Sequence, residues 1–258
     1  MKRILIAAVA GLLAVTAAQA AEPLKVGVSA GPYGEILTFA AGLAAKEGLE
    51  IKIVEFSDYN TPDAALAQGD LDANNFQHLP FLNNQIAKRG YDIVAGPTSI
   101  VVPMGVYSKK VTKLADLPEG ATVAIPNDPS NGARGLFLLA KAGLITLKDG
   151  VDVSATVLDV VGNPKKLKIV ELDAAQLPRS LEDVAAATVT LNYAVLSGLE
   201  PKSALLLEDE KSKWALVWAT RRDNQNDPRI KRYIEIYRSQ PVKAFIETRF
   251  KGTILTTW

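Results

Sequence analysis

The 258-residue chain has no cysteine, one histidine and two methionines. Without cysteine there are no disulfides and no thiolate ligands, so with a single histidine no ordinary zinc or iron site can be assembled. A Ser-His-Asp triad would have to use His78. The acidic residues lack EF-hand spacing, and Gly-x-Gly-x-x-Gly, the P-loop and the Gly-x-Ser-x-Gly elbow do not occur. Charge of one sign is missing too. The 29 basic and 28 acidic residues remove the electrostatic case for nucleic acid or an anionic membrane as partner. No second long apolar run follows residue 20. These absences disfavour catalysis, metals and cofactors, and favour the binding of a small molecule.

The first 20 residues form a leader. Lys2 and Arg3 supply a positive start, Ile4–Val15 an apolar stretch, and Ala18-Gln19-Ala20 a small-residue cleavage site. A transmembrane anchor is the rival reading, but the apolar stretch is short for a bilayer and ends in the cleavage motif. Cleavage after Ala20, with no thiol to carry a lipid, predicts a soluble periplasmic protein without a lipid anchor. Its stability must then come from apolar burial, and the length suits two lobes.

Along the chain, Leu24–Val28 alternates as a strand, and Ile36, Phe39, Ala40, Leu43 and Ala44 have helical spacing. Leu49–Phe56 predicts a second strand, and Pro62–Leu66 a short helix with proline in its first turn. Leu71 opens an alternation ending near Phe76, and a helix follows from Pro80. Further strands are predicted at Ile93-Val94, Ser99–Tyr107, Thr122–Ile125, Val153–Leu158, Lys168–Val170, Ala187–Thr190 and Leu216–Thr220. Helices are predicted at Gly135–Ala142, near Ala174–Leu181 and across the tail Pro228–Phe250; Leu205–Leu207 is ambiguous. The alternation restarts at Thr122, which implies an α/β architecture with mostly parallel sheets in two lobes and a cleft between them.

Two stretches are candidates for chemistry. Phe76 and His78 fall where a strand ends and a helix begins, the edge at which open α/β sheets bind ligands. A partly buried histidine satisfied by a carbonyl is an equal reading of His78 on chemistry alone. In Pro126–Arg134, several capping residues precede Arg134, so helix-start amides and a guanidinium could share an anion. The rival reading there is simple capping with a solvated arginine.

GDLDANNFQHLPFL (69–82), PMGVYS (103–108), VAIPNDPSNGARGLFLLAKAGLI (123–145) and LKIVELDAAQLPRSLEDV (167–184) together resemble the methionine-binding proteins of the NlpA/MetQ group. Those are substrate-binding components of methionine ABC importers. The resemblance implies a type II periplasmic-binding-protein fold, with residues 21–104 plus 205–258 as lobe I, 105–204 as lobe II, and a return crossing near 200–205. It implies that Tyr59, Phe76 and His78 wall the pocket for the ligand side chain. Arg134 would take the ligand carboxylate beside Asn131, and Thr190 and Asn192 complete the expected binding set. Three positions depart from the pattern: Asp63, Thr190 and Leu216 each stand where an asparagine is usual. The lipoprotein cysteine is missing as well.

The expected function is therefore delivery of methionine or a closely related small amino acid to an ABC permease and ATPase. The expected form is a monomer, with no enzymatic activity, no cofactor, no metal and no nucleic acid. Another amino acid or a small dipeptide is the alternative ligand; an enzyme using His78 and a surface or adhesion role are more distant. Arg134→Ala is expected to weaken binding while leaving the ligand-free fold nearly unchanged.

Overall fold

The computed structural model describes residues 22–209 and 213–258, so the leader expected at Met1–Ala20 lies outside the described residues. The chain opens on β1 (Leu24–Ser29), α1 (Pro32–Ala45), β2 (Ile51–Phe56), α2 (Thr61–Gln68), β3 (Ala73–His78), α3 (Leu79–Arg89) and β4 (Ile93–Val101). Next come β5 (Met104–Tyr107), β6 (Thr122–Pro126), α4 (Pro129–Lys141), β7 (Thr146–Leu147), β8 (Val160–Gly162) and β9 (Lys168–Leu172). They are followed by α5 (Leu177–Ser180), β10 (Ala186–Thr190), α6 (Leu191–Leu196) and β11 (Leu206–Leu207). The chain finishes with β12 (Ala215–Arg221), α7 (Pro228–Tyr237), α8 (Gln240–Phe250) and β13 (Leu255–Thr256).

Two sheets organise these elements into two lobes. The first has the order β13-β4-β12-β3-β1-β2, the second β11-β5-β10-β6-β9, and β7 pairs separately with β8. Successive βα units lay β1, β2 and β3 parallel in the first lobe, and β6 parallel to β9 and β10 in the second. Apart from the terminal β13 and the separate antiparallel pair β7–β8, the strands that run against their neighbours are those that carry the crossings. β5, entering the second sheet, is antiparallel to β10 and β11, and β12, returning to the first, is antiparallel to β3 and β4.

The crossings differ from those expected. Ser99–Tyr107 is not one strand. Val101 pairs with Ala215 and Leu255 in the first sheet, whereas Met104 pairs with Thr190 in the second. Pro103 between them has no N–H to give a ladder, so the strand breaks where the chain changes sheet. The return falls after Leu207, not near 200–205, because Leu206 and Leu207 pair with Val106 and Gly105. Met104 and residues 206–207 thus belong to the second sheet.

Other differences are local. The strand expected at Val153–Leu158 is instead a turn and a 3-10 helix at Val157–Asp159. There the Asp152, Thr156 and Asp159 side chains capture backbone N–H groups that a strand would need. The tail divides into α7 and α8 at Arg238-Ser239, where Pro241 begins the new helix. Helix α4 starts at Pro129, earlier than the expected Gly135, because Asp128 caps it by accepting from Asn131 N at 2.9 Å. Gly135 lets α4 press on its sheet, since a Cβ there would meet Thr188 Oγ1 at 2.7 Å.

The apolar spacing of α1 buries Ile36, Leu37, Ala40 and Ala44, and α7 buries Ile230, Tyr233, Ile236 and Tyr237 against the same sheet. Trp218 of β12 sits between Tyr233 and Tyr237, edge-on to both. The second lobe packs Leu136 and Leu139 of α4 against Val123 and Ile125 of β6 and Met104 and Val106 of β5. Each such side chain contributes about 1.5–3 kcal/mol by leaving water, which holds both lobes without disulfides.

Candidate functional site

Between the lobes lies a narrow cleft, lined by Tyr33, Tyr59, Phe76, His78 and Phe81 on one side and Asn131, Arg134 and Thr190 on the other, with Gln77, Val102 and Leu216 completing the wall. It opens at the strand-to-helix turns of both lobes, where the sequence places its candidates.

Tyr59 follows β2 in the loop before α2. Its hydroxyl donates to Asn192 Oδ1 at 2.6 Å, so its one proton is spent and Thr190 Oγ1 at 2.9 Å donates to it. Burial holds the Tyr59 phenol far above its ordinary pKa, so it remains a donor. Its ring lies 6.2 Å from Phe76 and 6.1 Å from Phe81, forming one aromatic corner. Thr190 lines the cleft. Asn192 sits behind Tyr59 and Tyr33 and reaches the cleft through their hydroxyls, which both donate to its Oδ1; its Nδ2 is buried without a protein partner among the described residues.

His78 ends β3 and caps α3. Its Nδ1 accepts from Phe81 N at 3.2 Å, which assigns the ring proton to Nε2, and Nε2 donates to Asn131 Oδ1 at 3.1 Å across the cleft. Burial, aided by the Arg134 charge, lowers its pKa to about 3, so the imidazole is neutral. Asn131 Nδ2 in turn donates to both Asp128 oxygens, at 3.0 and 3.2 Å, which fixes the amide orientation. Burial pushes the Asp128 carboxyl up.

Arg134 is in the cleft but is neither solvated nor sharing helix-start amides with an open anion site. The N-terminus of α4 is filled by the chain's own Asp128, which is a better-placed acceptor than any mobile ion. Arg134 Nε donates to Glu208 Oε1 at 2.9 Å, and Nη2 donates to Val102 O at 2.6 Å and to Glu208 Oε2. Its guanidinium also lies 5.4 Å from the centre of the Trp214 ring. These bonds engage Nε and Nη2 and leave Nη1 outside them.

The structure thus brings together Tyr59, Phe76, His78, Asn131, Arg134 and Thr190 and sets Asn192 one layer back. Tyr33 and Glu208 escape the sequence reading. Tyr33 had a signal, since Gly31-Pro32-Tyr33 stands at the first strand-to-helix turn just as His78 stands at the third. Glu208 had none, being at the end of a two-residue strand. Among the described residues, no three His, Asp or Glu side chains are grouped to hold a metal ion.

A profile described as NlpA lipoprotein matches residues 24–258. The "D-methionine-binding lipoprotein MetQ" of Escherichia coli K12 is 45% identical over 239 residues, covering 91% of this chain and 88% of the relative. "Outer membrane lipoprotein 3" of Mannheimia haemolytica is 42% identical, covering 92% and 91% of the two chains. A solved nutrient-binding protein from Burkholderia cenocepacia, bound to methionine, is 48% identical with a TM-score of 0.87, covering 91% of this chain and 100% of that one.

These names overturn the unlipidated form expected from the sequence, because the family and these two relatives are described as lipoproteins. That expectation rested on the missing cysteine and on Ala18-Gln19-Ala20, which lie outside the described residues. Among the described residues, no helix is long and apolar enough to cross a membrane. Since the profile spans both lobes and relatives above 40% identity cover nearly all of the chain, it belongs to the NlpA lipoprotein family.

Proposed function

We propose that this chain is the solute-binding component of an ABC importer and presents methionine or a closely related small amino acid to its permease and ATPase. The observation that carries the reading is one cleft whose wall holds both an aromatic corner of Tyr59, Phe76 and Phe81 and the Arg134 guanidinium. A flexible thioether suits the aromatic corner, where each sulfur–aromatic contact adds ~0.3–1.5 kcal/mol. A ligand carboxylate suits the Nη1 edge of Arg134. The methionine bound to the Burkholderia relative and the name of the Escherichia coli relative support the same ligand class.

Binding without turnover fits the state of His78. Both ring nitrogens are engaged, by Phe81 N and Asn131 Oδ1, and burial keeps the ring from taking up a proton near neutral pH. A general base needs a free nitrogen within reach of substrate. The chain acts as a monomer outside the inner membrane, exported through the leader at Met1–Ala20. Leu216 favours one second reading. An apolar side chain lines the wall where an asparagine is usual, so another apolar amino acid or a small dipeptide is the alternative cargo.

Mass spectrometry of ligand released from the denatured protein tests the proposal, followed by titration with L-methionine, D-methionine, other apolar amino acids and Gly-Met. Stoichiometric, unmodified methionine or a close analogue is the expected result. Release of a chemically altered ligand, or saturable binding of none of these compounds, would sink it.

A further inference from the structure

We propose that Glu208 sets the charge class of ligand that the cleft accepts: by neutralising Arg134, it restricts the cleft to zwitterions and turns away the same carboxylate lacking its amino group. This rests on the methionine reading above and extends it to a residue outside the cleft wall.

Glu208 is placed with unusual constraint. It follows β11 at the point where the chain leaves the second sheet. Its backbone N donates to Met104 O at 3.0 Å, and its Oε2 accepts from Met104 N at 2.9 Å. Both bonds tie it to the other crossing segment. Its two oxygens receive Arg134 Nε at 2.9 and 3.1 Å, and Oε2 also receives Nη2, while Nη2 reaches on to Val102 O. The side chains of Arg134 and Glu208 are only 2% and 11% exposed. The guanidinium is therefore fixed on three sides, and its charge is already matched before any ligand enters.

The charges around the cleft then decide what can be added. Among the described residues, Arg134 is the only cationic side chain on the wall, and no carboxylate lines it directly. Glu208 stands behind Arg134. Asp128, bonded to Asn131 and Ser130, can add only negative charge, and Lys141 is paired with Asp209 at the surface. A neutral His78 adds nothing. A zwitterionic ligand leaves this balance unchanged. A bare carboxylate brings one uncompensated negative charge into a buried site, where it must be protonated or bind poorly.

Two ligands of the same chain separate this role from a merely structural one: L-methionine, and 4-(methylthio)butanoate, which lacks only the amino group. Calorimetric titration of wild type should favour methionine by about tenfold or more. Binding of the butanoate, measured near neutral pH in buffers of different ionisation heat, should take up a proton, and binding of methionine should not. Glu208→Gln should narrow the preference by about tenfold or more and abolish the proton uptake, whereas Glu208→Asp keeps the charge and should keep the preference. If Glu208→Gln weakens both ligands by one factor, Glu208 is a staple only and the assignment fails. If Glu208→Gln does not fold, the wild-type proton uptake decides, and equal affinities without uptake overturn the assignment alone. A wild type that binds neither ligand overturns the functional reading and this assignment together.

Discussion

Tyr59 of the first lobe donates its hydroxyl to Asn192 Oδ1 of the second at 2.6 Å, directly across the cleft. Tyr33 approaches the same oxygen at 3.5 Å, and Tyr193 reaches back to Ser57 O at 3.1 Å, so one corner of the closed form is held by phenols from both lobes. Tyr59→Phe keeps the ring but leaves Thr190 without its acceptor. The closed form should lose ~0.5–1.5 kcal/mol, and ligand affinity should fall about three- to tenfold by calorimetry. Unchanged affinity would show that this bond does not stabilise closure.

Arg134→Ala should destabilise the ligand-free protein as well as weaken binding, contrary to the expectation from the sequence. Removing the guanidinium leaves Glu208 nearly buried without its partner, which costs on the order of 3–5 kcal/mol. Urea denaturation without ligand measures it, and the double variant with Glu208→Gln should recover part of the loss. A single variant as stable as wild type would contradict the pairing.

Asp63 sits on α2 beneath β3 and accepts from Asn74 Nδ2 at 2.9 Å and Gln77 Nε2 at 2.5 Å, while its Oδ2 has no partner among the described residues. Burial raises its pKa from 3.8 to about 6. Its folded pKa lies above the unfolded one, so its stabilising contribution is whole below pH 3.8 and is lost as pH rises through about 6. Asp63→Asn mimics the protonated acid. It should therefore be more stable than wild type at pH 7.5, by up to roughly 3 kcal/mol, and equal to it near pH 3.5. Denaturation at the two pH values checks the sign.

For His78 the sign is opposite. Burial, with Arg134 nearby, lowers its pKa from 6.5 to about 3, so its contribution is complete above pH 6.5 and falls as pH drops towards 3. As the only histidine, it is assigned without ambiguity in a nitrogen–proton NMR correlation. The spectrum should show the neutral ring protonated at Nε2 from pH 8 down to pH 5. A titration midpoint near 6.5 would mean that the ring is solvated.

Much of this was legible from residues that act locally. Phe76 and His78 were found because a strand end and a helix start are both written in neighbouring residues. Arg134 was found because capping residues announce a helix. Arg134's partner was not, since Glu208 lies 74 residues on and meets it only after both crossings are made. The break at Pro103 hid inside an unbroken apolar run, because alternation records burial and not which sheet buries the residue. The early start of α4 was missed for a related reason: capping overrides weak apolar periodicity in the first turn. Thr190 and Asn192 came only from the resemblance, and Tyr59 explains why they sit together.

The last strand has a consequence for how the chain keeps to itself. β13 pairs Leu255 with Val101 and Thr256 with Ile100, and Thr257 N adds a bond to Ser99 O at 3.1 Å, while Trp258 lies against Tyr237. Without this short segment, the outer side of β4 would present open N–H and C=O groups beside the apolar Ile100. That is the kind of edge that recruits a strand from another molecule. A few residues at the tail thus protect the crossing strand from self-association.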